Sequence, residues 1–147
     1  MKIVELKTPV EMQRIYPLIK QLNPGLTRAE FTDRLKEMMA QNYRCIMATE
    51  GAKILGTAGF WQATRFWCGR YMEMDNVVVD RRFRNKGIGA LLVRWVEKEA
   101  RRRKCRLVMA ASYAHNTASH RFYFRERYII LGYCFVKKLR RPQRSKR

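Results

Sequence analysis

The stretch Val77–Leu92, VVVDRRFRNKGIGALL, decides how the rest of the sequence is interpreted. It starts as a β-branched run typical of a central strand. It then passes through a basic turn with Gly87 and Gly89 and continues into an amphipathic helix predicted over Gly87–Arg103. A helix that begins at glycines leaves its first backbone N–H groups without partners, at the positive end of its dipole. The stretch therefore predicts a turn that binds a diphosphate.

Two common diphosphate-binding signatures do not fit this turn. A P-loop requires Lys-Ser or Lys-Thr after its glycines, and neither follows here. A dinucleotide fingerprint requires Gly or Ala three residues after its second glycine, where this chain has Leu92. The remaining pattern is R-x-x-G-x-G, from Arg84 to Gly89, between a strand and a helix. The structural alternative is a helix start that needs its glycines only for packing.

On either side of this stretch, the sequence predicts an α/β fold of order β-α-α-β-β-β-α-β-α-β. Two helices follow the first strand, since Thr8-Pro9 and the pair Thr27 and Glu30 are typical helix starts. A hairpin around Glu50-Gly51 indicates a mainly antiparallel front half, and a last short helix is predicted over Asn116–Arg125. The predicted strands are Lys2–Lys7, Tyr43–Thr49, Lys53–Gln62, Tyr71–Val79, Arg106–Ala111 and Ile129–Leu139.

Length and composition favour one globular domain. The chain has 147 residues, of which 47% are hydrophobic and 30% charged. No apolar run is long enough to span a bilayer and no signal peptide is evident, so we expect a cytoplasmic protein without membrane partners. The four cysteines form no CxxC pair and only two histidines accompany them, which predicts reduced, mostly buried thiols and no metal site.

The formal net charge of +20 is concentrated in Arg101–Lys104 and in the tail Lys137–Arg147. We expect the domain to occupy residues 1–139 and residues 140–147 to form a basic C-terminal tail. A solvated surface with a frayed terminus is the favoured interpretation of the charge. A weak contact of the tail with nucleic acid is the second interpretation, although the tail lacks the aromatic residues that such sites often contain.

The R-x-x-G-x-G pattern, with its strand and helix, resembles the acyl-CoA-binding motif of the GNAT superfamily of N-acyltransferases. The segment NTASHRFY, from Asn116 to Tyr123, and the closing FYFRERYIILGYCFVKKL are also similar to the family's pattern. One departure is Arg127, which stands where the family has glycine and predicts a differently shaped turn. The resemblance implies a mixed, mostly antiparallel central sheet flanked by helices, from Lys2 to about Leu139.

The resemblance also implies acetyl-CoA as co-substrate, no metal, and acetyl transfer to a primary amine by direct attack in a ternary complex. It makes Tyr123 the general acid near the sulfur. It makes Glu73, eleven residues before Arg84, the general base, with Asp75 on the same face of the strand. The implied cofactor-binding residues are Val77, Val78, Val79, Arg84, Asn85, Lys86, Gly87, Ile88, Gly89, Ala90 and Asn116.

Several alternatives stay open on the sequence alone. Glu73 is equally well a salt-bridged strand residue, and His120 is either a second candidate base or an ordinary helix histidine. Phe66 and Trp67 lie in a predicted loop and belong either to the core or to an acceptor pocket. The acceptor is a small molecule or a protein amine, and the chain is a monomer or a homodimer. The alternative functions are a nucleic-acid-associated protein and a coenzyme A-binding regulator on the same scaffold.

Overall fold

Five strands form one sheet in the order β1-β2-β3-β4-β5 in the computed structural model, which describes residues 1–139. The strands are β1 (Lys2–Leu6), β2 (Arg44–Glu50), β3 (Lys53–Arg65), β4 (Gly69–Val79) and β5 (Leu107–Ala110). The first four pair antiparallel in sequence order, and β5 pairs parallel to β4. The predicted mixed, mostly antiparallel sheet is confirmed.

The helices are α1 (Pro9–Met12), α2 (Tyr16–Leu22), α3 (Arg28–Ala40), α4 (Ile88–Arg102) and α5 (Thr117–Arg125). A 3₁₀ turn joins α1 to α2, so the single helix that the sequence predicts there is interrupted. Capping boxes begin α1 at Thr8 and α3 at Thr27, where the threonine side chain accepts from a backbone N–H three residues later. Within the described residues no helix is both long and apolar enough to cross a bilayer.

The sheet buries both faces. On one face, Leu6, Cys45 and Met47 pack with apolar residues of α1–α3 such as Met12 and Phe31. On the other face, the Phe60 ring lies 6.0 Å from the ring of Trp95 on α4, and both faces stay apolar along their centre. The two layers hold β4 between helices on either side.

A β-bulge interrupts β4 near its end. Gly59 of β3 pairs with Asp75, whereas Thr57 pairs with Val78, so β4 carries one extra residue at this point. Asn76 provides the turn of the bulge by adopting a left-handed conformation with φ 51°. As a result, Asp75 and Val78 point to the same face of the sheet although they are three residues apart.

The chain separates into two compact units, Met1–Ala111 and Ser112–Arg147. The first contains the sheet and α1 to α4. The second contains α5, and its last eight residues, the predicted basic tail 140–147, lie outside the described part of the chain.

The predicted closing strand, Ile129–Leu139, is wrong: residues 129–139 form no strand. A run of β-branched and aromatic residues forms a strand only when a neighbouring strand supplies hydrogen bonds and a surface to cover. Here the large apolar side chains of the segment, among them Ile129, Tyr133 and Phe135, are exposed. The order of the other elements agrees with the sequence-based prediction.

Candidate active site

The turn that leaves β4 is held by Asp80, a residue that the sequence did not single out. Its side chain accepts hydrogen bonds from the Arg82 backbone N–H at 3.0 Å and from the Arg82 guanidinium at 2.8 and 3.1 Å. Its own N–H donates to the carbonyl of Leu55 at 2.9 Å. The hydrogen bonds from Arg82 lower the pKa of Asp80 to about 2. Asp80 therefore stays ionised and fixes the direction in which the chain leaves the sheet.

The start of α4 is an open group of backbone donors. Asn85 and Gly87 have φ values of 61° and 74°, which turn the chain sharply into the helix. The first helical hydrogen bond runs from the N–H of Leu91 to the carbonyl of Gly87, so the N–H groups of the three residues between them precede it. In the described part of the chain no side chain caps this end.

The space beside Gly87 fits a diphosphate. A β-carbon built at this position would meet no atom within 4 Å. The turn is therefore a cradle that a side chain would fill and that glycine leaves open. With three unbonded amides and the positive end of a 15-residue helix, the geometry matches the donor set that phosphate oxygens require.

The basic residues of the turn lie beside this cradle. Arg84, Asn85 and Lys86 are all exposed. The Arg84 Nε donates to the carbonyl of Val79 at 3.4 Å, and the Lys86 ammonium lies 5.8 Å from the centre of the Phe83 ring. The structure thus brings the predicted residues Arg84 to Ala90 into one turn.

Within residues 1–139, the last residues of β4 are unpaired along the strand edge that faces β5. Pairing between these strands ends at Met74 and Ala110, so from Asp75 onward β4 is paired only with β3 among the described residues. The backbone of Val77 and Val79 therefore borders an unpaired edge directly before the cradle. A ligand lying along this edge can reach backbone N–H and C=O groups that β5 leaves unpaired, although the Val79 carbonyl already accepts from Arg84.

Two carboxylates share a face of β4 close to this edge. Glu73 lies 4.0 Å from the guanidinium of Arg65, the limit for an ion pair, and its side chain is 37% exposed. Asp75 is also only partly exposed, and burial, reinforced by the charge of Glu73, raises its pKa. The side-chain amide of Asn76 in the bulge donates to Asp75. A carboxylate with a raised pKa is a better proton acceptor than an ordinary surface carboxylate.

Tyr43 is the second feature that sequence reasoning missed. Its side chain is buried against Gly59, where a β-carbon would come within 1.9 Å of the Tyr43 hydroxyl. Burial raises the pKa of Tyr43 well above its usual range, and the charge of Asp75 contributes in the same direction. Gly59 therefore lets a phenol reach the polar group around Asp75. The two glycines within one strand segment, LGTAGF, were the only signal of this contact in the sequence.

The remaining predicted residues lie in the second unit. Asn116 caps α5: its side-chain oxygen accepts from the N–H of Ser119 at 3.1 Å. Tyr123 is half-buried, with the rings of Phe122 and Tyr128 centred 5.2 and 5.4 Å from its own. Both residues therefore have defined structural contacts within their unit.

The other nucleophilic or basic candidates differ in their contacts and exposure. The His120 Nε2 lies 3.0 Å from the carbonyl of Tyr113, and because a carbonyl only accepts, this nitrogen is the donor. Burial raises the pKa of the Cys45 thiol to about 11. Cys68 is also buried, whereas Cys105 is partly exposed and Cys134 exposed, so the prediction of mostly buried thiols holds for only part of the set.

Comparison with known proteins agrees with this geometry. The family model described as "Acetyltransferase (GNAT) family" matches residues 12–127, which include the whole cradle and both carboxylates. The chain belongs to this family. The GNAT membership implies acyltransferase activity, and it agrees with the R-x-x-G-x-G turn found at the start of α4.

Solved structures of other proteins share the GNAT fold of this chain. A putative acetyltransferase from Agrobacterium tumefaciens is 25% identical with a TM-score of 0.80, covering 95% of this chain and 100% of that one. Glucosamine-6-phosphate N-acetyltransferase from Arabidopsis thaliana is 23% identical with a TM-score of 0.72, covering 95% and 98%. An aminoglycoside N-acetyltransferase in complex with CoA is 17% identical with a TM-score of 0.82, covering 95% and 94%.

Proposed function

We propose that this GNAT chain is an acetyl-CoA-dependent N-acetyltransferase that transfers acetyl to a primary amine of a small molecule or a protein by direct attack in a ternary complex. The observation that carries the proposal is the open turn at Gly87, where unbonded amides, space for a ligand and two basic side chains coincide. The exposed edge of β4 leads from this turn toward the carboxylates.

The amides of Ile88, Gly89 and Ala90 would hold the diphosphate, with Arg84 and Lys86 neutralising its charge. The backbone of Val77–Val79 would hydrogen-bond the pantetheine arm, and Asn116 of the second unit is the further proposed contact. Acetyl-CoA, when bound, supplies an acetyl group activated as a thioester. The N–H of Val77 would donate to the thioester oxygen as negative charge develops there.

The chain must also handle two protons. An alkyl amine with a pKa of about 10.4 is largely protonated at pH 7, which costs about 4–5 kcal/mol of reactivity. Glu73 would accept the proton of the attacking amine, directly or through water, while Asp75 beside it keeps the pocket negative toward a cation. As the new C–N bond forms and the C–S bond breaks, Tyr123 would donate a proton to the departing sulfur.

A change at Gly87 tests the cradle. Gly87→Glu places a carboxylate in the space reserved for phosphate, so we expect CoA binding measured by calorimetry to weaken at least about tenfold, a loss of about 1.4 kcal/mol. Gly51→Glu is the matched control because Gly51 also has a positive φ, 56°, and open space around it, but lies in the β2–β3 turn. Equal binding by the two variants would exclude this turn as the cofactor site.

The proposed acid and base are tested by kinetics. In a thiol-release assay with acetyl-CoA and a panel of amines, Glu73→Gln should lower kcat by about 10²–10⁴-fold, because the attacking amine loses its proton acceptor. Tyr123→Phe should lower kcat without weakening CoA binding, because only the departing sulfur loses a proton donor. Glu37→Gln, an exposed carboxylate on α3, is the control. If wild type and both variants all match the uncatalysed rate while CoA still binds, the chain is a coenzyme A-binding regulator instead.

A further inference from the structure

The β3–β4 hairpin displays two aromatic side chains at its tip. Phe66 has a relative exposure of 113% and Trp67 of 57%, so neither belongs to the core. The next residue, Cys68, is buried, and Gly69 turns the chain back with φ 71°. The tip thus has a defined direction, with the thiol turned inward and the two rings turned outward.

The topology places basic residues at the base of this hairpin. The end of β3, the start of β4, the end of α4 and the start of β5 all meet at this end of the sheet. We call these residues the basic end: Arg65, Arg70, Arg101, Arg102, Arg103, Lys104 and Arg106. The Arg70 guanidinium donates to the carbonyl of Arg103 at 2.9 Å, and the Arg70 carbonyl accepts from the N–H of Arg106 at 2.8 Å. These two hydrogen bonds therefore connect the base of the hairpin to the α4–β5 turn.

Carboxylates neutralise only part of the basic end. Glu99 pairs with Arg102 and Arg103, each at 2.7 Å, and Glu97 pairs with Arg101 at 3.7 Å. Within the described residues, the side chains of Arg70, Lys104 and Arg106 have no carboxylate within ion-pair distance. These three cations belong to the hairpin base and to the α4–β5 turn bonded to it, and they provide charge complementarity to a polyanion.

The chemistry of this surface favours a nucleic acid with unpaired bases. All but one of the cations are arginines, whose planar guanidinium binds phosphate in a bidentate manner and stacks on bases. Exposed aromatic rings stack on base faces, which a duplex hides and a single strand offers. A lipid surface would need more apolar area, yet the strand residues leading to the tip, Gln62 to Arg65, are polar or small and exposed.

We propose that the hairpin tip and the basic end together bind single-stranded nucleic acid. Phe66 and Trp67 stack on successive bases, and Arg70, Lys104 and Arg106 contact the phosphates on either side. The surface lies at the C-terminal end of α4, about 22 Å along the 15-residue helix from the Gly87 turn, so it does not compete with the proposed cofactor site. The proposal does not depend on acetyl transfer.

The test uses the full chain and fluorescein-labelled 12-mers of deoxythymidine and of uridine, followed by anisotropy between 50 and 200 mM salt. F66A/W67A should bind at least about tenfold more weakly, since one stacked base contributes a factor of about 5 to 150. V10A/L22A, which removes exposed apolar side chains from α1 and α2, should bind as wild type does. The two oligomers distinguish RNA from DNA as the natural source of the strand.

R70Q/R106Q should lower affinity and reduce the slope of log K against log salt by about 1.4, because two phosphate contacts are lost. R34Q/K36Q removes the same charge from α3 and should leave most of the affinity. If it weakens binding equally, or if F66A/W67A binds normally, the affinity comes from net charge or from the tail and the proposal is overturned. Stronger binding to vesicles of anionic lipid than to either oligomer, dependent on Phe66 and Trp67, would also overturn it.

Discussion

Arg127, two residues after the end of α5, has a backbone conformation that arginine rarely adopts. Its φ is 67°, its N–H donates to the carbonyl of Phe124 at 3.0 Å, and the N–H of Tyr128 donates to the carbonyl of Tyr123 at 2.9 Å. This pair of hydrogen bonds is the Schellman motif, in which the left-handed position is usually glycine. The residue at which this chain departs from the GNAT pattern is therefore strained by a steric clash at its β-carbon.

Arg127→Gly should raise the free energy of unfolding of the second unit by about 1 kcal/mol, because glycine adopts the left-handed region without this clash. Glu126→Gly is the control: Glu126 has a helical φ of −81°, so glycine there should destabilise. Urea titration followed by circular dichroism of both variants measures the difference. A decrease in stability for Arg127→Gly would show that the Arg127 side chain contributes more than its backbone strain costs.

Among the elements, α4 is positioned against β3 by a missing side chain. A β-carbon at Gly56 would come within 2.8 Å of the Val78 carbonyl, 3.1 Å of Leu92 and 3.3 Å of Ile88. Ile88 is the first residue of α4. Gly56 therefore sets how closely the donor end of the helix approaches the sheet.

Gly56→Ala should destabilise the chain by about 1–3 kcal/mol, since the backbone carbonyl of Val78 cannot move away easily. It should also weaken CoA binding, because the added methyl displaces Ile88 and with it the first amides of α4. Gly25→Ala, with no neighbour within 4 Å and no positive φ, is the matched control. Thermal unfolding measures the loss of stability, and calorimetry measures CoA binding. If Gly56→Ala is destabilised but binds CoA normally, the packing at Gly56 does not position the amides of the cradle.

Sequence periodicity predicted α4 well and the closing strand badly, for one physical reason. The apolar side of α4 includes Leu92 and Val96, and the helix satisfies its own backbone hydrogen bonds, so local pattern is sufficient. A strand depends on a partner that its own residues do not specify. The apolar run in Ile129–Leu139 has the composition of a strand, but residues 129–139 pair with no strand among the described residues.

In the candidate active site, too, local features were predictable from the sequence and long-range contacts were not. The turn around Gly87 was predictable because its donors, glycines and basic residues are adjacent in sequence. Three other features could not be predicted, because they join residues that are distant in sequence or depend on strand register. They are the bulge at Asn76, the contact of Tyr43 with Gly59, and the hydrogen bond from Asp80 to Leu55. Register is set by packing across the whole sheet, which no local pattern contains.

At the scale of the whole molecule, 12 carboxylates offset 32 lysines and arginines. Each carboxylate therefore limits self-repulsion as well as forming local bonds. The hydrogen bonds of Arg102, with further contributions from Arg103, lower the pKa of Glu99 from 4.5 to about 2. A carboxyl with a lowered folded-state pKa stabilises the fold at every pH above its unfolded value, and this contribution is lost as pH falls through the folded value.

Wild type should therefore lose stability steadily between pH 4.5 and pH 2 as Glu99 takes up a proton. Glu99→Gln should be less stable at pH 7 but should lose less over that acidic interval, because the titrating group is gone. Urea midpoints at several pH values measure both effects. Asp33→Asn removes the same charge from a side chain that is 75% exposed and should run parallel to wild type; a Glu99→Gln curve parallel to wild type would contradict the prediction.

The contact between Tyr43 and Gly59 makes substitutions at these two positions dependent on each other during evolution. The phenol fills the volume that any β-carbon at position 59 would need, so a lineage that first gains alanine there carries a clash until residue 43 shrinks. A lineage that first shortens residue 43 instead opens a void beside Asp75. Neither order of substitution is neutral, so residues 43 and 59 should change as a correlated pair. A large ring should occur at position 43 only where position 59 is glycine.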